Sequence, residues 1–368
     1  MRKHTKTTKK SKPAGDHKAA SARRWIGIDV GDRMSEICIL DHAGRVVQRT
    51  RVRTTPQGFL QSLSAFAGSH VAIETGTHCA WIARVLGNCG LDVTVANARE
   101  LRKIYQSDRK NDRTDAEMLA RMVRFDRALL APVHLRTQEM QADRSVLNAR
   151  DALVSSRTKF INVARGLAKC YGVRLPTSSA ESFVRQAKGH ICQELAPALE
   201  PLLTSIAALN EQIRIMDKHI ESLAKTRYPQ CALLRQIEGV GPLTSMAFIL
   251  TIGDKQRFRR ARDVGAYLGL VPRQFDSGER VSQLPITKAG NKYMRRLLVS
   301  AAQYILGPFA PDSTLRRYGE RLSERGGANA KKRAVVAVAR KLAVLLYHLW
   351  STGEVYEALY YHRHTCAA

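Results

Sequence analysis

Apolar residues come in short bursts over the first hundred positions and settle into a helical period afterwards. Trp25 to Val30 is an apolar run with Asp29 near its end. Glu36 to Leu40 is a second β-rich run, Asp41-His42-Ala43-Gly44 is a turn, and Arg45 to Val52 is a third strand. Together they predict a three-stranded meander. Pro56 to Phe66 puts Phe59, Leu60 and Leu63 on one helical face. His70 to Glu74 is a short buried strand that ends in an acid, Cys79 to Gly87 a helix, and Leu91 to Ala96 a fifth strand. Strands interleaved with helices place residues 25–135 in the α/β class. Residues 99–130 read as a basic helical segment closed by Pro132.

The period then lengthens. Across 136–228, Leu199, Leu202, Ile206, Leu209, Ile213, Met216, Ile220 and Leu223 alternate steps of three and four, an a/d heptad seam. The expectation is a self-associating coiled coil that makes the chain a homo-oligomer, a dimer or a tetramer. The alternative is one helix of an intramolecular bundle. Residues 229–368 are mainly helical. IEGVGPLTSMAFILTIGD has a turn from Gly239 to Gly241 between apolar stretches, similar to a helix-hairpin-helix whose backbone amides approach a phosphate. A plain helical hairpin reads the same way. A polar, flexible stretch with Gly326, Gly327 and Lys331-Lys332-Arg333 leads to a last apolar helix, Ala334 to Trp350. The fold class is therefore α/β plus α.

Charge narrows the partners. The 368 residues carry 60 Lys and Arg against 32 Asp and Glu, a formal net charge of +28. Such an excess opposes compaction and points to a polyanion, because each neutralised phosphate releases condensed counterions. Residues 1–24 read as a disordered basic tail without the apolar core of a signal peptide. No apolar run reaches the length expected of a membrane span. The seven cysteines are odd in number and contain no C-x-x-C pair, so neither a zinc site nor a disulfide framework is expected, and a reducing cytoplasm is the simplest setting.

Against this basic background four acids stand out. Asp29 and Glu74 end strands, and Asp112 and Asp115 lie three apart, on one face of a helix. Four carboxylates brought together would repel one another, and divalent cations remove that conflict. Hard oxygen ligands suit Mg²⁺ or Mn²⁺, and such a pair of ions supports phosphoryl transfer. Arg109, Lys110 and Arg113 beside them suit a nucleic-acid backbone, as do Lys288, Lys292, Arg295 and Arg296, which recur at near-helical spacing. Each acid also has an ordinary reading: a turn cap, an arginine partner or an N-cap. Actin-like kinases also begin with a strand ending in Asp-x-Gly, but the glycine-rich nucleotide loops they need downstream are missing.

GIDVG at 27–31, IETGTHCAW at 73–81 and KNDRTDAEMLARM at 110–122 resemble the first domain of transposases of the insertion sequence 110 family. IEGVGPLTSMAFILTIGD, AYLGLVPRQFDSGER and ITKAGNKYMRRLLVSAA resemble that family's second domain. The resemblance implies a ribonuclease H-like, RuvC-like domain over 25–135, with Asp29, Glu74, Asp112 and Asp115 as catalytic and metal-binding residues. A helical coiled-coil segment over 136–228 and a C-terminal transposase domain over 229–368 follow. It further implies that Ser277 attacks DNA to form a phosphoserine link, and that an element-encoded bridge RNA pairs with DNA of the element ends and the target. On its residues alone Ser277 is an ordinary loop serine. Two rivals need less: a junction-resolving nuclease using metal-activated water, and a non-catalytic nucleic-acid-binding derivative. The chain departs from the family pattern at Gly31-Asp32-Arg33, where a lysine is common, and at Asp276 beside the serine.

Overall fold

The computed structural model describes residues 23–98, 100–101, 111–273, 276–277, 280–281 and 284–359. Two compact units divide between Leu135 and Arg136.

The first unit is built on a five-stranded sheet. Its strands are β1 (Trp25–Val30), β2 (Met34–Leu40), β3 (Val46–Arg53), β4 (His70–Glu74) and β5 (Asp92–Ala96), in the order β3-β2-β1-β4-β5. The first three pair antiparallel as a meander, while β1, β4 and β5 run parallel. The mixed sheet is compatible with the ribonuclease H-like expectation. Alternation along β1 sends Ile26 and Ile28 to one face and Gly27 and Asp29 to the other. On the first face, α1 (Pro56–Leu63) and α2 (Cys79–Asn88) close a core of Ile26, Ile28, Val71, Ile73, Phe59, Ile82 and Leu86.

The second face carries α3 (Asp112–Phe125), which lies directly on β1. A Cβ at Gly27 would fall 1.9 Å from the Ala116 carbonyl oxygen and 2.4 Å from the Ala120 nitrogen, so only glycine admits the helix. Helix α3 begins at Asn111, whose side chain accepts from the Arg113 amide at 3.1 Å, and it carries Asp112 and Asp115 in its first turn, where the helix dipole favours them. Glu117 binds both Arg121 and Arg49 of β3, and Arg124 donates to the His42 carbonyl at 2.8 Å, so the helix is tied to the meander at several points. Of the basic segment expected over 99–130, residues 99 and 102–110 lie outside the described residues.

The second unit is helical. A long hairpin of α4 (Gln138–Cys170) and α6 (Ala196–Thr226) is bridged at its far end by α5 (Phe183–Ala187). The α6 seam finds its partner inside the chain: Ile220 and Leu223 pack with Leu147, and Leu199, Leu203 and Ile206 with Ile161 and Ala164 of α4. Part of the seam is thus covered within the chain, while Leu202, Leu209 and Met216 stay half-buried. Arg150 pairs with Asp217 at 2.5 Å and Arg157 reaches Asn210 at 2.8 Å, fixing the antiparallel register. Buried Asp143 accepts from Arg227 at 2.7 Å and from the Tyr228 hydroxyl at 2.7 Å where the hairpin meets the rest of the unit.

There, α7 (Cys231–Leu234), α8 (Pro242–Ile252), α9 (Asp263–Tyr267), α10 (Lys292–Ile305), α11 (Thr314–Glu324) and α12 (Ala330–Thr352) enclose one core. Every residue of α8 from Thr244 to Ile252 is buried. The final helix starts at Ala330, so Lys331, Lys332 and Arg333 belong to its first turn and not to a flexible stretch. Its 23 residues are long and apolar enough to cross a membrane by length and composition, which the run-length reading had missed. Here the helix is a core element, with Ala334, Val338, Ala339, Leu342, Ala343 and Leu346 fully buried. Helix α11 went unanticipated because TLRRYGERLSE offers too few apolar positions to mark a period.

Candidate active site

Register decides which acids meet. Ile28 of β1 pairs with Ile73 of β4 in parallel, so Asp29 and Glu74 stand side by side at the C-terminal ends of neighbouring strands. Asp29 shares its face with Gly27, and Glu74 shares its face with Ala72; Gly27 lies under α3, and Ala72 packs with Leu119, Met122 and Val123 of the same helix. The helix runs against β1. The Arg124 guanidinium sits 5.8 Å from the Trp25 ring centroid, Ala116 and Ala120 sit on Gly27, and the first turn therefore extends toward Asp29. One rim of one sheet face thus carries Asp29, Glu74, Asp112 and Asp115.

A fifth carboxylate joins them that the sequence did not reveal. Glu36 is the direct antiparallel neighbour of Asp29 and lies in the same face as Cys38, which packs under Ala116. Arg51 on β3 pairs with Glu36 at 3.3 Å. Only the register of β2 on β1 exposes this neighbour, because alternation alone marks Glu36 as an ordinary polar strand position.

Asp29 and Asp115 are half-buried, and Glu74 and Asp112 are exposed. Asp29 engages a neighbouring group, whereas Glu74, Asp112 and Asp115 make no ion pair with another described residue. The donor set is all carboxylate oxygen, which suits a hard divalent ion. As the side chains stand, no group of three or more His, Cys, Asp and Glu among the described residues is close enough to hold a metal. Backbone placement brings the acids to one rim, with their side chains not converged on a single point.

The β1–β2 turn beside them is braced. The Thr54 hydroxyl donates to the Gly31 carbonyl at 2.9 Å and lies 2.8 Å from the Ser35 hydroxyl. Next to it His78 Nε2 stands 3.4 Å from an Asp32 carboxylate oxygen, and the Trp81 indole N–H donates to His78 Nδ1 at 3.1 Å.

The cations expected at the site divide by fate. Arg109 and Lys110 lie outside the described residues. Arg113 is exposed on the first turn of α3. In the second unit Lys288 and Lys292 are exposed, Lys288 with a left-handed φ of 55°. Arg295 instead turns inward, donating to the Leu268 carbonyl at 3.1 Å and to the Ala289 carbonyl, where it holds two loops together. Arg296 pairs with Asp151 and covers the Tyr293 ring at 5.1 Å. Helical spacing could not distinguish the exposed pair from the two already partnered.

Gly239 has a φ of 86°, and its position for a Cβ lies 3.0 Å from Tyr304 and 3.1 Å from the Ala301 carbonyl, so α10 closes over it. Gly241 is open and caps α8. Ser277 lies on β6 (Asp276–Ser277), paired with Arg280 of β7 (Arg280–Val281). Pro272 and Ile286 bridge below it, and the Arg273 amide donates to the Pro285 carbonyl at 3.1 Å. Where a loop was expected, Asp276–Ser277 and Arg280–Val281 pair antiparallel.

Comparison with known proteins identifies two matching segments, the first of which runs past the Leu135–Arg136 boundary. Residues 26–171 match the model of a DEDD transposase domain, described as a transposase, and residues 231–318 match that of the transposase IS116/IS110/IS902 family. The chain is 30% identical over 340 residues to the transposase for insertion sequence element IS1111A of Coxiella burnetii, covering 90% of each protein. It is 29% identical over 347 residues to a probable family 20 transposase of Pseudomonas aeruginosa, covering 90% of this chain and 98% of the relative. A shorter likeness, 29% over 119 residues and 32% of this chain, links it to a pilin gene-inverting protein of Moraxella lacunata. The protein belongs to the IS110 family of transposases.

Proposed function

We propose that this transposase cuts and rejoins DNA by a phosphoserine route in which the four acids hold divalent metal and Ser277 is the nucleophile. The supporting observation is the parallel register of β1 and β4 beneath the first turn of α3, which sets Asp29, Glu74, Asp112 and Asp115 on one rim. A bound Mg²⁺ or Mn²⁺ would supply Lewis-acid polarisation of a phosphate oxygen. Exposed Arg113 beside the acids, and exposed Lys288 and Lys292 in the second unit, suit contacts to nucleic-acid backbone.

Ser277 Oγ attacks phosphorus, the bond to the leaving deoxyribose oxygen breaks, and the serine proton passes to solvent. The leaving oxygen takes up a proton. A hydroxyl of the exchanged strand then attacks the phosphoserine, releasing the serine and sealing the new joint. No ATP is required because the energy of the phosphodiester is kept in the ester link. In this reading base readout is left to a guide RNA paired with DNA of the element and its target.

A plasmid bearing the element and its target, incubated with the protein, RNA transcribed from the element and Mg²⁺, tests the scheme on a denaturing gel. Wild type is expected to leave protein covalently attached to DNA, Ser277→Ala to leave none, and Asp29→Asn to lose both cleavage and adduct. Full recombination by Asp29→Asn sinks the role of the acids. Cleavage by Ser277→Ala at the wild-type rate would transfer the nucleophile's role to water.

A further inference from the structure

The departure at Asp32 and the motif residues His78 and Trp81 meet in one hydrogen-bonded chain. Asp32 follows β1 by two residues, and His78 opens α2 four residues after Glu74. Their contact therefore spans the loops leaving two neighbouring parallel strands, beside the acid rim. Ligands of α/β sheets are met at such strand ends.

The geometry defines the imidazole's hydrogen-bonding state. An indole N–H only donates, so Nδ1 of His78 must present its lone pair to Trp81, and the ring proton resides on Nε2. Trp81 is itself fixed, with its ring 5.8 Å from that of fully buried Phe59 and in edge contact with His78 at 6.0 Å. A rigid aromatic pair thus aims one N–H donor outward. Its present acceptor is easily displaced: the Asp32 side chain is 89% exposed and that of His78 32%. An exposed contact of 3.4 Å adds little stability, so folding alone does not account for so constrained a ring.

We propose that His78 Nε2–H is a substrate-contacting donor to a non-bridging phosphate oxygen of the DNA strand held at the acid rim. Asp32 holds the donor until DNA replaces it, and Trp81 is a positioning residue that sets the tautomer. This rests on the reading of the acids as the cleavage centre. A neutral donor suits the place, since it can approach a phosphate beside carboxylates without forming an ion pair with them. It also differs from a general acid: giving up the only ring proton would leave an imidazolate, so His78 binds and does not protonate.

The test measures cleavage of the plasmid-borne element, with RNA transcribed from the element and Mg²⁺ present, by wild type, His78→Ala, His78→Gln, Trp81→Phe and Asp29→Asn. A hydrogen bond to a charged oxygen predicts a loss of about ten- to a hundred-fold for His78→Ala. His78→Gln, whose amide retains an N–H donor, should recover most of it. Nitrogen–proton correlation spectra of the histidine-labelled full chain should show His78 protonated on Nε2, and Trp81→Phe should lose that preference. Wild-type cleavage by His78→Ala alongside a dead Asp29→Asn overturns the proposal and spares the acids. His78→Gln as slow as His78→Ala, or an Nδ1–H tautomer in wild type, also overturns it. Full activity in Asp29→Asn is the distinct result that removes the acid site beneath it.

Discussion

Gly27 is where one missing methyl group sets the geometry of the site. The α3 backbone occupies the space a Cβ would need, and the same helix delivers Asp112 and Asp115. Gly27→Ala must push the helix off the strand, at a cost of about 1–3 kcal/mol. Urea unfolding should show that loss, and metal-dependent cleavage should fall further than stability accounts for, because the acids move with the helix. Wild-type stability in this variant would show that α3 has room to shift. Asp29 and Glu74 were legible as strand-terminal acids, since a buried apolar run makes a closing carboxylate conspicuous. Glu36, Arg295 and His78 were not, because the role of each depends on a contact that local pattern does not specify: the register opposite Asp29, the Leu268 carbonyl of a separate loop, and Asp32 on the loop leaving another strand.

Among elements, α3 is held by a clasp as well as by apolar packing. Burial pushes the Glu117 carboxyl up, but hydrogen bonds from Arg121 and Arg49 and the charges of those arginines outweigh it, so the carboxyl is held below its usual range. A carboxylate with a depressed folded value contributes stability above its unfolded value and loses it as pH falls through the folded one. Glu117→Gln should therefore lower the melting temperature by a few degrees at pH 7. The difference from wild type should shrink as pH drops below 4.5. A gap that persists unchanged in acid would assign the clasp to shape and not to charge. The α4–α6 hairpin teaches a related lesson. The heptad seam on α6 was plain in the sequence, but its partner was not, because an a/d stripe is equally satisfied by another chain or by a neighbouring helix. Pairing with α4 covers Leu199, Ile206, Ile220 and Leu223 of that stripe within the chain.

For the whole molecule the net charge of +28 predicts the salt response of binding. Affinity for duplex DNA, followed by fluorescence anisotropy, should fall on the order of a thousand-fold between about 50 and about 200 mM salt if at least six phosphates are neutralised. A shallow dependence would mean that most of the positive charge faces no phosphate.

Local pattern determined much of this protein. Short apolar and β-rich runs mark the five strands, the i, i+3, i+4 stripes mark most helices, and the charge names a polyanionic partner. These signals are readable because they depend on residues close together in sequence. The tertiary structure alone decided register and company: that β1 lies beside β4, that α3 rests on Gly27, that α6 turns its seam to α4, and that Arg295 faces inward. Those choices depend on which distant surfaces exclude water together, and that free energy belongs to pairs of segments, not to either segment alone.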